Sequence, residues 1–280
     1  MCPLCDNTGW KPIEENGTRR VVRCDCWRER LAADRLAASS IPSRYKHCTL
    51  ETIRTYNEPI RKAVAAAHRF VEMFPVADRG LLLLGLAGVG KTHIAVGVLR
   101  AVIQKCAATG VFYHTPELLK TIRGSYDPTI RTSEMSVLKP VMEAELLVLD
   151  DLGAERPTDW VEEMMNLIVN TRYNERRLTI FTSNYLDIPD ITEPNSLLCR
   201  IGFRMRSRLH EMCTIVEIDA ADFRDTDKPT NATDDDLRAL WKLKPRDKNL
   251  QAPRGLRQAK AYLRGDGKAD LKWPGGRGGS

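Results

Sequence analysis

No run of apolar residues in this 280-residue chain approaches the ~20 residues that a helix needs to cross a bilayer, so no membrane-spanning helix is expected. The first residues, Met1-Cys2-Pro3-Leu4-Cys5, have neither the basic start nor the apolar stretch of a secretory signal. A cytoplasmic location follows, and there the eight cysteines are expected as thiols or metal ligands rather than disulfides. Internal repeats are also missing, which excludes a stacked-repeat architecture. Large charge is missing too: the net formal charge is only +6.

That modest charge is unevenly placed. From Lys242 to Ser280 eleven Lys/Arg stand against three Asp/Glu, so this tail carries 11 − 3 = +8 and the rest about 6 − 8 = −2. A basic tail on a near-neutral body suits a polyanion such as nucleic acid, or a solvated tail without a partner.

Between residues 59 and 218 short apolar strands alternate with helical patterns. Ile60, Val64, Ala67, Val71 and Phe74 mark an amphipathic helix over 59–74. Strands are expected at 81–85, 110–114, 146–149, 178–182 and 213–218, and helices at 92–106, from Thr115 as N-cap, up to about 145, at 158–177 and at 194–211. This alternation predicts an α/β domain with a parallel sheet covered on both faces. The expected organisation is a cysteine-rich module over 1–38, a linker and leading helix over 39–79, the α/β domain over 80–224, and a basic, partly disordered tail over 225–280.

The segment Gly85-Leu86-Ala87-Gly88-Val89-Gly90-Lys91-Thr92 satisfies the phosphate-loop pattern G-x-x-x-x-G-K-[ST] in the required strand–loop–helix setting. Glycines let backbone N–H groups converge on phosphate oxygens, aided by the positive end of the following helix. Lys91 is expected to reach the β- and γ-phosphates of ATP, and the Thr92 hydroxyl to hold Mg²⁺. The strand 146–149 then delivers Asp150-Asp151, with Asp150 as the second Mg²⁺ residue and Asp151 to position or activate the attacking water. Glu155 is a second candidate base. Asn184, after the strand 178–182, can orient that water. Arg200, Arg204, Arg206 and Arg208 crowd one helix and suit a phosphoryl group, in cis or from a neighbouring subunit.

Cys2-x-x-Cys5 and Cys24-x-Cys26 form two knuckles that a hairpin can bring together as a tetrahedral S₄ zinc site; a redox dithiol or unpaired thiols are the alternatives. The first thirty residues are too poor in apolar side chains to fold alone, so a metal would supply much of their stability. Cys48, Cys106, Cys199 and Cys213 are expected to pack within the body.

Together these residues resemble the AAA+ ATPases of the DnaC/IstB type, the bacterial helicase loaders and their transposon relatives. The resemblance covers about residues 40–224 and includes Ile41-Pro42-Ser43-Arg44-Tyr45, Gly90-Lys91-Thr92-His93, Asp150-Asp151-Leu152-Gly153, Arg172-Tyr173, Thr182-Ser183-Asn184 and Gly202 to Leu209. It implies an AAA+ P-loop NTPase with five parallel strands in the order 5-1-4-3-2 and little or no helical lid. It implies that His93 belongs to the nucleotide site and that Arg208, with Arg204 as the alternative, is an arginine finger acting on the next subunit of a homo-oligomer. Single-stranded DNA is expected to meet Lys120, Arg123, Tyr126, Arg131 and Lys139, where basic groups can track phosphates and an aromatic can stack. The zinc module is expected to contact a DnaB-like replicative helicase. The alternative is an IstB-like transposition regulator that binds DNA and a transposase.

Overall fold

The computed structural model describes residues 2–15, 17–126, 133–224, 233–243, 261–263 and 269–271. The chain divides into two compact units, Met1–Pro245 and Arg246–Ser280. Of the second unit only an antiparallel pair, Ala261–Leu263 with Ala269–Leu271, is described, and the rest of the basic tail lies outside the described residues.

The first unit opens with a hairpin, β1 (Trp10–Glu15) and β2 (Thr18–Arg23), followed by α1 (Asp25–Ala37). After a linker come α2 (Glu58–Met73) and β3 (Gly80–Leu84), then α3 (Lys91–Cys106) and β4 (Gly110–His114). The chain continues through α4 (Thr115–Gly124), α5 (Glu134–Glu143) and β5 (Leu146–Asp150). It ends in α6 (Asp159–Asn174), β6 (Leu178–Ser183), α7 (Leu197–Met212), β7 (Cys213–Glu217) and α8 (Asp234–Leu243).

Strands β3 to β7 form one parallel sheet in the order β4-β5-β6-β3-β7. Numbered one to five along the chain and read from the other edge, that order is 5-1-4-3-2. The inner strands β3, β5 and β6 are buried along their whole length, which is why they read as unbroken apolar runs. One core lies between the sheet and α2/α3, with Leu81, Leu83, Ile94 and Val98 at its centre. The other lies under α4 to α7, with Leu82, Leu84, Ile168 and Phe181. β3 therefore sends alternate side chains into opposite layers, as the period of a strand requires.

Two features differ from expectation. Thr115 is not the cap of α4: His114 holds that position without a side-chain cap, and the buried Thr115 hydroxyl has no partner among the described residues. Beyond residue 224, α8 packs on the body although the strand pattern has ended. Leu237 is 1% exposed in the first core, Arg54 pairs with Asp234 at 2.6 Å, and Arg238 donates to the Tyr56 carbonyl at 2.9 Å.

Candidate nucleotide site

The C-terminal ends of β3, β5 and β6 bring the phosphate loop, Asp150-Asp151 and Asn184 to one edge of the sheet. The loop needs its glycines: Gly88 and Gly90 have φ of +77° and +97°, a region that costs a side chain dearly. Gly90 caps α3, so the free N–H groups of that helix face the pocket. A cleft of about 470 Å³ results, lined by Gly88, Lys91, Thr92, Asp150, Asp151 and Asn184 among others.

The polar groups in this cleft are already wired together. Lys91 Nζ donates to the Gly85 carbonyl at 3.0 Å, the Leu86 carbonyl at 2.7 Å and Asn184 Oδ1 at 2.7 Å. The Asn184 amide in turn donates to Asp151 Oδ1. Asp150 Oδ1 accepts from the Thr92 hydroxyl at 2.8 Å and the Thr182 hydroxyl at 2.7 Å. Asp151 sits at a left-handed φ of +63°, its N–H donating to Thr182 Oγ1 at 2.9 Å, and His114 Nε2 lies 3.7 Å from its other oxygen. Burial lowers the Lys91 pKa to about 8 against the opposing pull of Asp151 and Asp150, and burial raises that of Asp150. Thr92 and Asp150 offer hard oxygen donors side by side, a set that fits Mg²⁺.

His93 lines the same cleft and also reaches the linker. Its Nε2 lies 2.8 Å from Thr52 Oγ1 and 3.0 Å from the Thr49 carbonyl, so it ties the linker to the start of α3. Glu155 lines a separate cavity of about 110 Å³, beside Thr115 and Arg200, and is not among the residues that line the cleft. The arginines of α7 divide by task. Arg200 stacks on Tyr185, and Arg206 pairs with Asp187 at 2.5 Å. Arg204 and Arg208 instead line a groove against Asp159, Glu162 and Glu163 of α6, apart from the cleft that holds Lys91. The sequence reading missed Arg224, which lines the cleft from the segment after β7, where no strand or motif marked it.

Of the residues expected to meet DNA, Lys120, Arg123, Tyr126 and Lys139 are exposed, and Arg131 lies outside the described residues. Arg123 lies over the Trp160 ring at 4.4 Å and Tyr126 meets it edge-on at 6.4 Å, so Trp160 is the centre of a patch that the sequence did not reveal. Tyr126 also donates to Glu134 at 3.0 Å.

The four N-terminal cysteines converge. All four sulfurs lie within 4.8 Å of one another, with Cys2–Cys24 at 3.7 Å and Cys5–Cys26 at 3.2 Å. A tetrahedral site with Zn–S bonds of about 2.3 Å has sulfur–sulfur edges of about 3.8 Å, so the donor set fits zinc. Turns through Asp6, Asn7 and Gly9, all at positive φ, fold the first knuckle, and Asn7 Oδ1 accepts from the Cys2 N–H at 3.0 Å.

A phosphate loop, a paired carboxylate strand and a polar strand end on a 5-1-4-3-2 sheet define an AAA+ ATPase. The family model for the IstB-like ATP binding protein matches residues 34–230, and the chain belongs to that family. Phage-like element PBSX protein XkdC of Bacillus subtilis (strain 168) is 25% identical over 224 residues, 76% of this chain and 79% of that one. Replicative helicase loader DnaC of Buchnera aphidicola subsp. Schizaphis graminum is 25% identical over 149 residues, 53% of this chain and 60% of the loader. The crystal structure of the DnaC helicase loader superposes with a TM-score of 0.57 at 33% identity, covering 63% of this chain and 99% of that chain. No helix among the described residues is long and apolar enough to cross a membrane.

Proposed function

We propose that this ATPase loads a replicative DNA helicase, holding the helicase through its N-terminal module and single-stranded DNA through an assembly of its ATPase domains. In the cleft, Lys91 leaves its carbonyl partners to meet the β- and γ-phosphates, and Thr92 and Asp150 hold Mg²⁺. The metal, when bound, neutralises phosphate charge. Asp151 accepts a proton from the attacking water, and Asn184 orients both Asp151 and Lys91. Arg208, or Arg204, reaches the nucleotide of a neighbouring copy, a reading supported by their place on α7 away from their own cleft. Zinc on Cys2, Cys5, Cys24 and Cys26 stiffens the N-terminal module, which has little core of its own.

The observation that carries the loader reading is a surface beside the cysteine cluster. The register of the hairpin sets Trp10 opposite Arg23 and Pro12 opposite Val21, all on one face. The Arg23 guanidinium lies between Trp10 at 5.4 Å and Trp27 at 4.1 Å, and Trp10, Val21 and Trp27 are 49%, 64% and 43% exposed. Exposed tryptophans flanking an arginine have the composition of a protein-binding hot spot. The names of the helicase-loader relatives support the choice of partner. The test is capture of a purified DnaB-type helicase by the full chain, with and without a zinc chelator. Retention that chelation abolishes supports the reading. Capture of a transposase in place of the helicase moves the function to the transposition alternative, as the family name allows.

A further inference from the structure

A third carboxylate, apart from Asp150 and Asp151, rests on the phosphate loop. After β7 the chain turns back across the loop. The Ile218 N–H donates to the Leu84 carbonyl at 2.7 Å, and the Phe223 N–H donates to the Gly88 carbonyl at 3.2 Å. Between them the Asp222 side chain packs directly on Gly88: a Cβ there would lie 1.5 Å from Asp222 Oδ1 and 2.1 Å from its Cγ. The same Oδ1 accepts from the Arg224 N–H at 2.8 Å, which fixes its direction.

This segment is clamped from behind as well. Asn57 donates to the Asp219 carbonyl at 3.0 Å, the Ala221 N–H donates to the Tyr56 hydroxyl at 2.8 Å, and the Phe223 ring meets Tyr56 edge-on at 5.7 Å. Leu237 of α8 is buried in the same core cluster as Tyr56, and Arg238 bonds the Tyr56 carbonyl. Asp222 is half-buried, so water screens it incompletely; its field at the Lys91 ammonium adds to those of Asp151 and Asp150 and is opposed by that of Arg224, the neighbouring cation that lines the cleft.

We propose that Asp222 is an affinity-limiting residue of the nucleotide site: its negative charge, held against the phosphate loop, opposes the incoming polyphosphate and keeps nucleotide binding weak and reversible. The proposal rests on the loop being the nucleotide site. Two like charges a few ångströms apart at a partly screened surface repel enough to change an affinity about tenfold. A segment pinned at Tyr56 and Asn57 cannot relieve that repulsion by swinging away unless α8 and its contacts move too.

The experiment titrates the full chain with a fluorescent N-methylanthraniloyl-ATP at neutral pH and low salt. Asp222→Asn keeps the acceptor for the Arg224 N–H and removes the charge; it is expected to bind about tenfold more tightly than the wild type, with the ratio shrinking as salt rises. Asp222→Ser is a second uncharged variant with the same expected direction, in case the first folds poorly. Lys91→Ala loses the signal in both the wild-type and Asp222→Asn backgrounds, which ties it to the loop. Equal or weaker binding by the uncharged variants overturns the proposal, since a merely structural role for Asp222 predicts that result. Absence of binding by wild type and variants alike overturns the nucleotide assignment itself, and the proposal with it.

Discussion

Lys91 and Asn184 are joined side chain to side chain at 2.7 Å, and the same Asn184 amide donates to Asp151. One residue at the end of β6 thus touches both the lysine proposed to bind phosphate and the carboxylate proposed to activate water. If Asn184 orients Asp151, its loss should harm turnover more than binding. Asn184→Ala is expected to lower kcat by about 10- to 100-fold, the scale of a lost orienting group in an active site. ATP affinity should change by less than about threefold, because the Gly85 and Leu86 carbonyls still hold Lys91 at the loop until the phosphates displace them. Parallel steady-state and equilibrium-binding measurements separate the two effects. An equal fall in both would mean that Asn184 serves Lys91 alone.

Asp151→Asn gives a sharper separation. It retains a side-chain partner for Asn184 and loses the base, so ATP should still bind while turnover falls by about 100-fold or more. Unchanged turnover would remove Asp151 from the mechanism. Turnover that persists in Asp151→Asn and is lost on adding Glu155→Gln would move the role of base to Glu155.

Nucleotide affinity should depend on pH through Lys91. Burial lowers its pKa to about 8 without ligand. A triphosphate favours the ammonium, so the pKa rises again in the complex. The sign follows: the protonated form binds better, affinity is full below about pH 8 and falls as pH rises above it, and binding takes up a proton in that range. Calorimetry in buffers of different ionisation enthalpy measures the proton directly. An affinity flat from neutral pH to well above pH 8 would show that the ammonium does not meet the phosphates.

How much of this was legible in the sequence depended on whether the signal was local. The phosphate loop and the Asp150-Asp151 strand end are contiguous patterns, and their flanking strands announce them. Asn184 followed from its place at a strand end. Arg224 and Asp222 come after the last strand, where periodicity stops, and only the fold carries them back over Gly88. Trp160 sits at the start of α6 with nothing local to link it to Arg123. Arg172 shows the same limit. As part of an Arg172-Tyr173 pair it marked the family resemblance, yet its physical role appears only in three dimensions.

Arg172 is 1% exposed and pairs with no carboxylate among the described residues. Its guanidinium donates to the carbonyls of Val141, Met142, Ala144 and Leu178 and to the Thr179 hydroxyl, at 2.6 to 3.2 Å. It thereby closes the end of α5 and fastens α6 to β6. Burial lowers its pKa to about 9, but five acceptors hold the proton. Arg172→Met would leave those carbonyls buried without a donor, and the expected cost is about 3 kcal/mol or more in urea unfolding. Arg172→Lys, with fewer donors, should fall between the two.

Trp160 gives a test of the face proposed to contact DNA. Arg123 covers one side of its ring and Tyr126, 49% exposed, meets it edge-on, so the three form a platform with its cationic group already in place. A base stacked there would gain about 1–3 kcal/mol, which corresponds to roughly 5- to 150-fold in affinity. Trp160→Ala should therefore weaken binding of a fluorescent oligothymidylate within that range, and Lys120→Ala should weaken it less but reduce its salt dependence. Because Trp160 lines none of the ATP cleft, ATPase activity measured without DNA should be retained. Loss of that basal activity, with oligothymidylate binding intact, would assign Trp160 to the support of α6 instead.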